Sequence, residues 1–209
     1  MSRSIAQRVF QDDRVLAVYE RLRESPLFWP VVGRTLGQEV GDALAAIDRA
    51  GPGAVLDIAC GQGTFSVAVA RARTGRRVVG VDLSAPQIAR AVRRARGEAA
   101  FIVGDATELP FAAESFAAVI SFTGLHQIPD HGAVAREIAR VLRPGGALFG
   151  ATFARRGEPG RIRTRAQSAI GIRPIEADVW REILEGVGLG AFVYRQRTPL
   201  WGVFEATRS

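Results

Sequence analysis

The stretch that decides the fold is Val55-Leu56-Asp57-Ile58-Ala59-Cys60-Gly61-Gln62-Gly63-Thr64-Phe65, an apolar run that carries one acid and then turns on two glycines. Branched apolar residues before such a turn are typical of a buried parallel strand. Gly61 and Gly63 let the backbone turn sharply and approach a ligand without an intervening Cβ. The pattern after Thr64 predicts a helix whose free N–H groups point back at the strand tip. We therefore expect a small polar ligand there.

Further strands follow at regular spacing and alternate with helices. The predicted elements are a strand within 78–84 with Asp82 at its tip, a strand over 100–104 followed by Asp105, a strand over 116–122, a helix over 133–142 and a strand over 147–153, then a helix over 176–187 and two strands over 191–197 and 200–207. This alternation predicts an α/β fold with a parallel sheet that is covered on both faces.

Five segments in this order carry a family resemblance. They are VLDIACGQGTFS, VVGVDLS, FIVGDATELPF, SFAAVISF and REIARVLRPGGALFGATF, which together span residues 55–153. The chain resembles the class I S-adenosylmethionine-dependent methyltransferases, in the small-molecule group related to the ubiquinone and menaquinone biosynthesis enzymes. The resemblance implies a Rossmann-like, seven-stranded, mostly parallel sheet with an antiparallel C-terminal strand. It also implies an enzyme with S-adenosyl-L-methionine as cofactor.

The resemblance assigns the methionine and ribose parts of the cofactor to the first two strand tips. Asp57 and the backbone around Ala59, Gly61 and Gly63 would hold the methionine end. At the second tip, Asp82 would accept both ribose hydroxyls.

The remaining contacts implied by the resemblance lie around the adenine and the reacting methyl group. Leu83 would lie against the adenine, Asp105 would accept from its exocyclic amine, and the N–H of Ala106 would reach a ring nitrogen. Ser121 and Phe122 would close the pocket near the methyl group.

Each acid also has a purely structural interpretation. Asp57 fits a turn or cap, although an acid inside an apolar run is costly without a partner. Asp82 fits an N-cap, but Ser84 can cap the following helix instead. Asp105 belongs to a Gly-Asp pair of the kind common in turns. Cys60, the single cysteine, is interpreted as a small apolar filler of the turn.

A nicotinamide-dependent oxidoreductase is the first alternative class of enzyme. A dinucleotide-binding fingerprint would have its third glycine where this chain has Ser66, and it would not have the acid Asp57. A cofactor-binding partner protein without catalysis is the second alternative, because fold alone does not establish catalysis.

Composition sets the outer limits. A chain of 209 residues with 47% hydrophobic content is expected to form one domain. Within it, the resemblance implies N-terminal helices over residues 1–50 that cover the active site, a cofactor-binding core over 54–153 and a variable lid over 154–175. No apolar run has membrane-spanning length and the first residues lack a signal sequence, so we expect a cytoplasmic protein.

The net charge of +7 raises the question of nucleic acid as a partner. All 28 basic residues are arginine, which indicates a coding bias rather than a partner, and no Asn-Pro-Pro-Tyr-type tetrapeptide follows the fourth strand. Nucleic acid is therefore disfavoured. Six arginines crowd the expected lid, and a solvated loop, an anionic substrate or a membrane surface would explain them. They are Arg155, Arg156, Arg161, Arg163, Arg165 and Arg173.

The methyl acceptor is expected to be a small, apolar or aromatic molecule methylated on carbon or oxygen. Phe28 and Trp29 would form an apolar wall over the site or pin the N-terminal helices to the sheet. His126 follows the fourth strand and is the candidate base, with a local hydrogen bond as the alternative. We expect His131 at the surface, at the start of a helix. No metal-ligand spacing is evident.

Overall fold

The computed structural model describes residues 35–72, 75–155, 175–198 and 201–209. The predictions for Phe28 and Trp29, for the first N-terminal helical pattern and for most of the lid lie outside the described residues. The α-helices of the described residues are α1 (Leu36–Arg49), α2 (Thr64–Ala72), α3 (Ala85–Ala95), α4 (His131–Val141) and α5 (Ala177–Glu185). The strands are β1 (Val55–Ile58), β2 (Val78–Asp82), β3 (Ala100–Val103), β4 (Phe116–Phe122), β5 (Leu142–Arg155), β6 (Ile175–Glu176), β7 (Leu189–Gln196) and β8 (Trp201–Arg208).

Seven strands form one sheet in the order β3-β2-β1-β4-β5-β8-β7. β1 to β5 are parallel, whereas β8 runs antiparallel to both of its neighbours, β5 and β7. The short strand β6 pairs with the end of β5. This arrangement confirms the predicted Rossmann-like sheet and its antiparallel C-terminal strand, and it brings the carboxyl ends of β1 to β5 to one edge.

The sheet is covered by helices on both faces, as predicted. Because side chains alternate along a strand, neighbours such as Val55 and Leu56 belong to different apolar clusters. The cluster with Val55 includes apolar residues of α1 and α2, and the cluster with Leu56 includes residues of α4 and α5. In the described part of the chain, no helix is long and apolar enough to cross a membrane.

Side-chain caps determine where three helices begin. Thr35 forms a capping box with Gln38 at the start of α1. Ser84 caps α3, which agrees with the prediction that this residue, rather than Asp82, does so. Asp130 accepts the Ala133 N–H at 2.8 Å, and α4 therefore begins at residue 131 instead of the predicted 133.

The largest difference from the predicted elements is the start of β5. The predicted helix ends at residue 142 and the predicted strand begins at 147, with Arg143-Pro144-Gly145-Gly146 between them, but β5 begins at Leu142 and includes these four residues. Gly145 has a φ of +73°, and the pairing with β4 shifts register between Phe116 and Ala118. The strand therefore includes the glycines as a local irregularity and does not begin after them.

Candidate functional site

The loop between β1 and α2 has a left-handed backbone at three positions. The φ angles are 55° at Ala59, 53° at Gly61 and 74° at Gly63. The Cys60 N–H donates to the Val81 carbonyl at 3.0 Å, and this bond anchors the loop to β2. A Cβ added to Gly61 would meet no atom of the described residues within 4 Å, so the loop backbone there faces a space that none of them fills.

Asp82 lies at the end of β2 and contacts this loop directly. Its Oδ2 accepts the Gly61 N–H at 2.8 Å and its Oδ1 accepts the Ser84 N–H at 2.9 Å. Burial raises the pKa of the Asp82 carboxyl group, and the two backbone hydrogen bonds oppose that shift. Since a carboxylate has about four lone-pair sites, these bonds leave one on each oxygen.

Asp57 is 1% exposed within β1, and the Ser66 hydroxyl of α2 donates to its Oδ2 at 2.5 Å. β1 lies between β2 and β4, where Asp57 pairs with Gly80 and Ile120. The acid therefore has the polar partner that its position in an apolar strand requires. Its expected part in ligand binding stays a prediction.

Close packing beneath the loop depends on two glycines and one aromatic ring. A Cβ on Gly63 would lie 2.7 Å from the Phe101 ring, and one on Gly80 would lie 2.6 Å from the same ring. The sequence reasoning missed Gly80 and Phe101. A glycine inside a valine-rich strand was the available signal, because it often marks close approach of a neighbouring group.

The residues expected around the adenine lie at adjacent strand ends. Leu83 follows β2 and is half-buried. Val103, the last residue of β3, pairs with Asp82, and Asp105 follows it by two residues. Asp105 is exposed, and its Oδ1 accepts both the N–H and the hydroxyl of Thr107, at 2.9 and 2.8 Å.

These contacts give Asp105 the role in a turn that the sequence also allowed. Ala106 lies in the same turn and is half-buried. The adenine contacts of both residues stay predictions.

The side chains at the end of β4 are engaged in the protein interior. The buried Ser121 hydroxyl donates to the Ile58 carbonyl at 2.9 Å and joins β4 to β1. Phe122 stacks on Phe65 with ring centroids 4.9 Å apart and meets Trp201 edge-on at 5.4 Å. Its ring therefore packs in the core, and the pocket-closing role of Ser121 and Phe122 stays a prediction.

The loops after β1 and β4 also pack so closely against each other that the contact requires a glycine. A Cβ on Gly124 would lie only 2.3 Å from the Cβ of Ala59. Just before it, Thr123 has a φ of 63° and donates its N–H to the Ala151 carbonyl at 2.7 Å. Only glycine fits at residue 124 without moving the first loop, and the sequence reasoning did not identify this constraint.

His126 lies in a short 3₁₀ helix, Leu125–Gln127, and is 4% exposed. Its Nδ1 lies 2.8 Å from the Thr152 Oγ1 on β5. Burial, and secondarily the nearby His131, lowers the pKa of His126 to about 3. The imidazole is therefore neutral at physiological pH. His131 begins α4 as predicted but is half-buried against Trp180, so its surface placement was wrong.

Two other expectations concern reactive groups. Burial raises the pKa of the Cys60 thiol well above its usual value, with smaller contributions from Asp57 and Asp82. The thiol is thus a poor nucleophile. Within the described ranges, no group of three or more His, Cys, Asp or Glu residues is arranged to hold a metal ion.

The family described as "Methyltransferase domain" matches residues 55–146. A demethylmenaquinone methyltransferase of Beutenbergia cavernae is 46% identical over 99 residues, which are 47% of this chain and 40% of the relative. The chain spans about half the length, or less, of the curated relatives it matches.

Solved structures share the fold at lower sequence identity. One of them is Haemonchus contortus phosphoethanolamine N-methyltransferase 2, solved with S-adenosyl-L-methionine, which matches with a TM-score of 0.79 at 21% identity. This match covers 100% of the present chain and 60% of the Haemonchus protein. Another is geranyl diphosphate C-methyltransferase from Streptomyces coelicolor, solved with S-adenosyl-L-homocysteine, with a TM-score of 0.72 at 19% identity. The match covers 89% of the present chain and 87% of the Streptomyces protein. Residues 55–146 match the methyltransferase-domain family, and the described chain has the fold of S-adenosylmethionine-dependent methyltransferases.

Proposed function

We propose that this chain binds S-adenosylmethionine at the carboxyl edge of β1, β2 and β3 and transfers its methyl group to a small acceptor. The observation that carries the proposal is the junction between Asp82 and the glycine loop. At Gly61 the loop backbone faces a space that no described residue fills, and each oxygen of Asp82 retains a lone-pair site. Two vicinal hydroxyl groups of a ribose match two such acceptors.

The other parts of the cofactor are assigned along the same edge. Asp57 and the backbone of Ala59, Gly61 and Gly63 hold the methionine end. Leu83, which is half-buried, supplies apolar surface for the adenine.

Asp105 and Ala106 contact the polar edge of the adenine from the end of β3. Both hydrogen bonds from Thr107 go to the Oδ1 of Asp105, so Oδ2 is the acceptor assigned to the exocyclic amine. At the end of β4, Ser121 and Phe122 border the reacting methyl group through their backbone, because their side chains pack inwards.

When bound, S-adenosylmethionine supplies an electrophilic sulfonium methyl group. The chain contributes by holding the acceptor in line with that group and by excluding water. His126 is a weak base, since its pKa is lowered to about 3 and its Nδ1 is bonded to Thr152. We therefore assign His126 a positioning role and favour an acceptor carbon that is activated by its own neighbouring oxygen.

The names of two of the similar proteins support a small apolar or aromatic acceptor. One is named for demethylmenaquinone and the other for geranyl diphosphate. Both names describe molecules with a large apolar part, and the second specifies methylation on carbon. Carbon methylation of such a molecule is therefore the first activity to test, with oxygen methylation next.

Two titrations and one assay test this proposal. We expect S-adenosylhomocysteine to bind the full chain in calorimetry and NAD⁺ to give no heat. Tight NAD⁺ binding without S-adenosylhomocysteine binding would favour an oxidoreductase instead. Radiolabelled methyl transfer to a panel of quinols, prenyl diphosphates and phenols then identifies the acceptor. Cofactor binding without transfer to any panel member would favour a non-catalytic binding protein.

A further inference from the structure

A groove lined by arginine lies beside the glycine loop. Its volume is about 520 Å³ and its lining residues are Gln62, Arg71, Arg90, Arg93, Arg94 and Arg96. Gln62 belongs to the loop, Arg71 to the last turn of α2, and the remaining arginines to α3 and its C-terminal cap. No carboxylate is among these described lining residues.

The sequence spacing explains why the guanidinium groups converge. Arg90, Arg93 and Arg94 are three and four residues apart on α3, and they therefore lie on one face of the helix. Arg71 faces them from α2 and pairs with Glu98 at 2.6 Å. Like charges at these spacings repel each other and cost stability, and a bound anion would relieve that cost.

The helix dipole accounts for only part of this arrangement. Basic residues in the last turn of a helix are favoured, which explains Arg71, Arg93 and Arg94 individually. The dipole does not explain why these residues line one shallow groove together with Arg90 and Gln62. Gln62 is 8% exposed, and its Oε1 accepts from the Arg94 guanidinium at 2.8 Å, so one wall of the groove is fixed in place.

We infer that this groove is a second binding site, for a small molecule that carries an oligophosphate group. Guanidinium groups bind phosphate oxygens in bidentate geometry, and several of them along one groove match several linked phosphates. The volume lies in the range of small-molecule sites. A single-stranded nucleic acid would instead require a longer basic track with aromatic stacking surfaces.

Inorganic triphosphate is the probe for this site, titrated into the full chain without cofactor or acceptor. The result is therefore independent of the proposed methyl transfer. We expect binding that weakens as salt rises, because the arginines are partly exposed to solvent. Arg93→Gln should weaken the affinity about tenfold. The matched control is Arg136→Gln, the same change at an exposed position of α4, which should leave the affinity unchanged.

Arg96→Gln provides a second test at the groove, and thermal unfolding checks that each variant is folded. Absence of triphosphate binding at about 1 mM would overturn the inference. An equal loss of affinity in Arg136→Gln would also overturn it, since it would show a non-specific charge effect. Binding of a short single-stranded RNA without triphosphate binding would reassign the groove to nucleic acid and reject the site proposed here.

Discussion

The Oδ2 of Asp82 accepts the backbone N–H of Gly61 at 2.8 Å, across the boundary between β2 and the loop after β1. The Oδ1 of the same carboxylate accepts the Ser84 N–H at the start of α3. One side chain thus fixes both loops that border the proposed ribose position. Under the proposed assignment, loop geometry and ribose recognition therefore depend on the same carboxylate.

Asp82→Asn should weaken S-adenosylhomocysteine binding at least about tenfold. An amide has one acceptor oxygen, and its NH₂ group would face one of the two backbone N–H donors. Calorimetry measures the change, with Asp178→Asn on the exposed side of α5 as the matched control. Unchanged affinity in Asp82→Asn would remove this carboxylate from the binding site.

Ala59→Gly should stabilise the protein by about 0.5–1 kcal/mol. A φ of 55° places Ala59 in the left-handed region, which costs an L-residue about 1–2 kcal/mol and glycine little, whereas glycine loses more entropy on folding. Urea denaturation measures the difference. The same change at Ala68, inside α2, should destabilise by about 0.5–1 kcal/mol. A loss of stability at residue 59 would contradict the prediction.

Much of this site was predictable because its determinants are local in sequence. The glycine loop, the position of Asp82 at a strand tip and the capping by Ser84 all follow from short patterns with few structural solutions. The family resemblance implied a seven-stranded, mostly parallel sheet with an antiparallel last strand, and the strand pairing confirmed both. The order of the strands was not predicted.

The missed features are contacts between residues that are distant in sequence. The need for glycine at residue 80 arises from Phe101 and Cys60, and the need for glycine at residue 124 arises from Ala59. Neither glycine stands at a recognisable sequence spacing from the residues that it contacts. The low pKa of His126 likewise results from burial, which a loop position after β4 did not indicate.

Gly80→Ala should destabilise the protein by about 1–3 kcal/mol, because the new Cβ would lie 2.6 Å from the Phe101 ring and 2.8 Å from the Cys60 Sγ. Phe101→Leu removes the nearest ring, so the double variant should lose less stability than the sum of the two single changes. Urea denaturation of the four proteins measures this coupling. Additive losses would show that the ring is not the obstacle.

A second glycine serves as the control for Gly80→Ala. Gly41 lies on the exposed face of α1, and a Cβ there would meet no atom of the described part of the chain within 4 Å. Gly41→Ala should therefore stabilise the protein by about 0.5–1 kcal/mol through helix propensity.

The pH dependence of stability should include a contribution from His126. With its pKa lowered from 6.5 to about 3 in the folded protein, His126 stays neutral while the unfolded chain gains a proton as pH falls below 6.5. Its contribution to stability is therefore complete above pH 6.5 and is lost towards pH 3, by about 1.4 kcal/mol per pH unit.

His126→Asn removes this titration and keeps a polar atom near Thr152, 2.8 Å from the imidazole Nδ1 in the native protein. The stability advantage of the native protein over the variant should therefore shrink by about 1.4 kcal/mol for each unit between pH 6.5 and 4.5. His131 is present in both proteins, so its own titration largely cancels. Urea denaturation at several pH values measures the difference, and a constant advantage would show that His126 titrates normally and is accessible as a base.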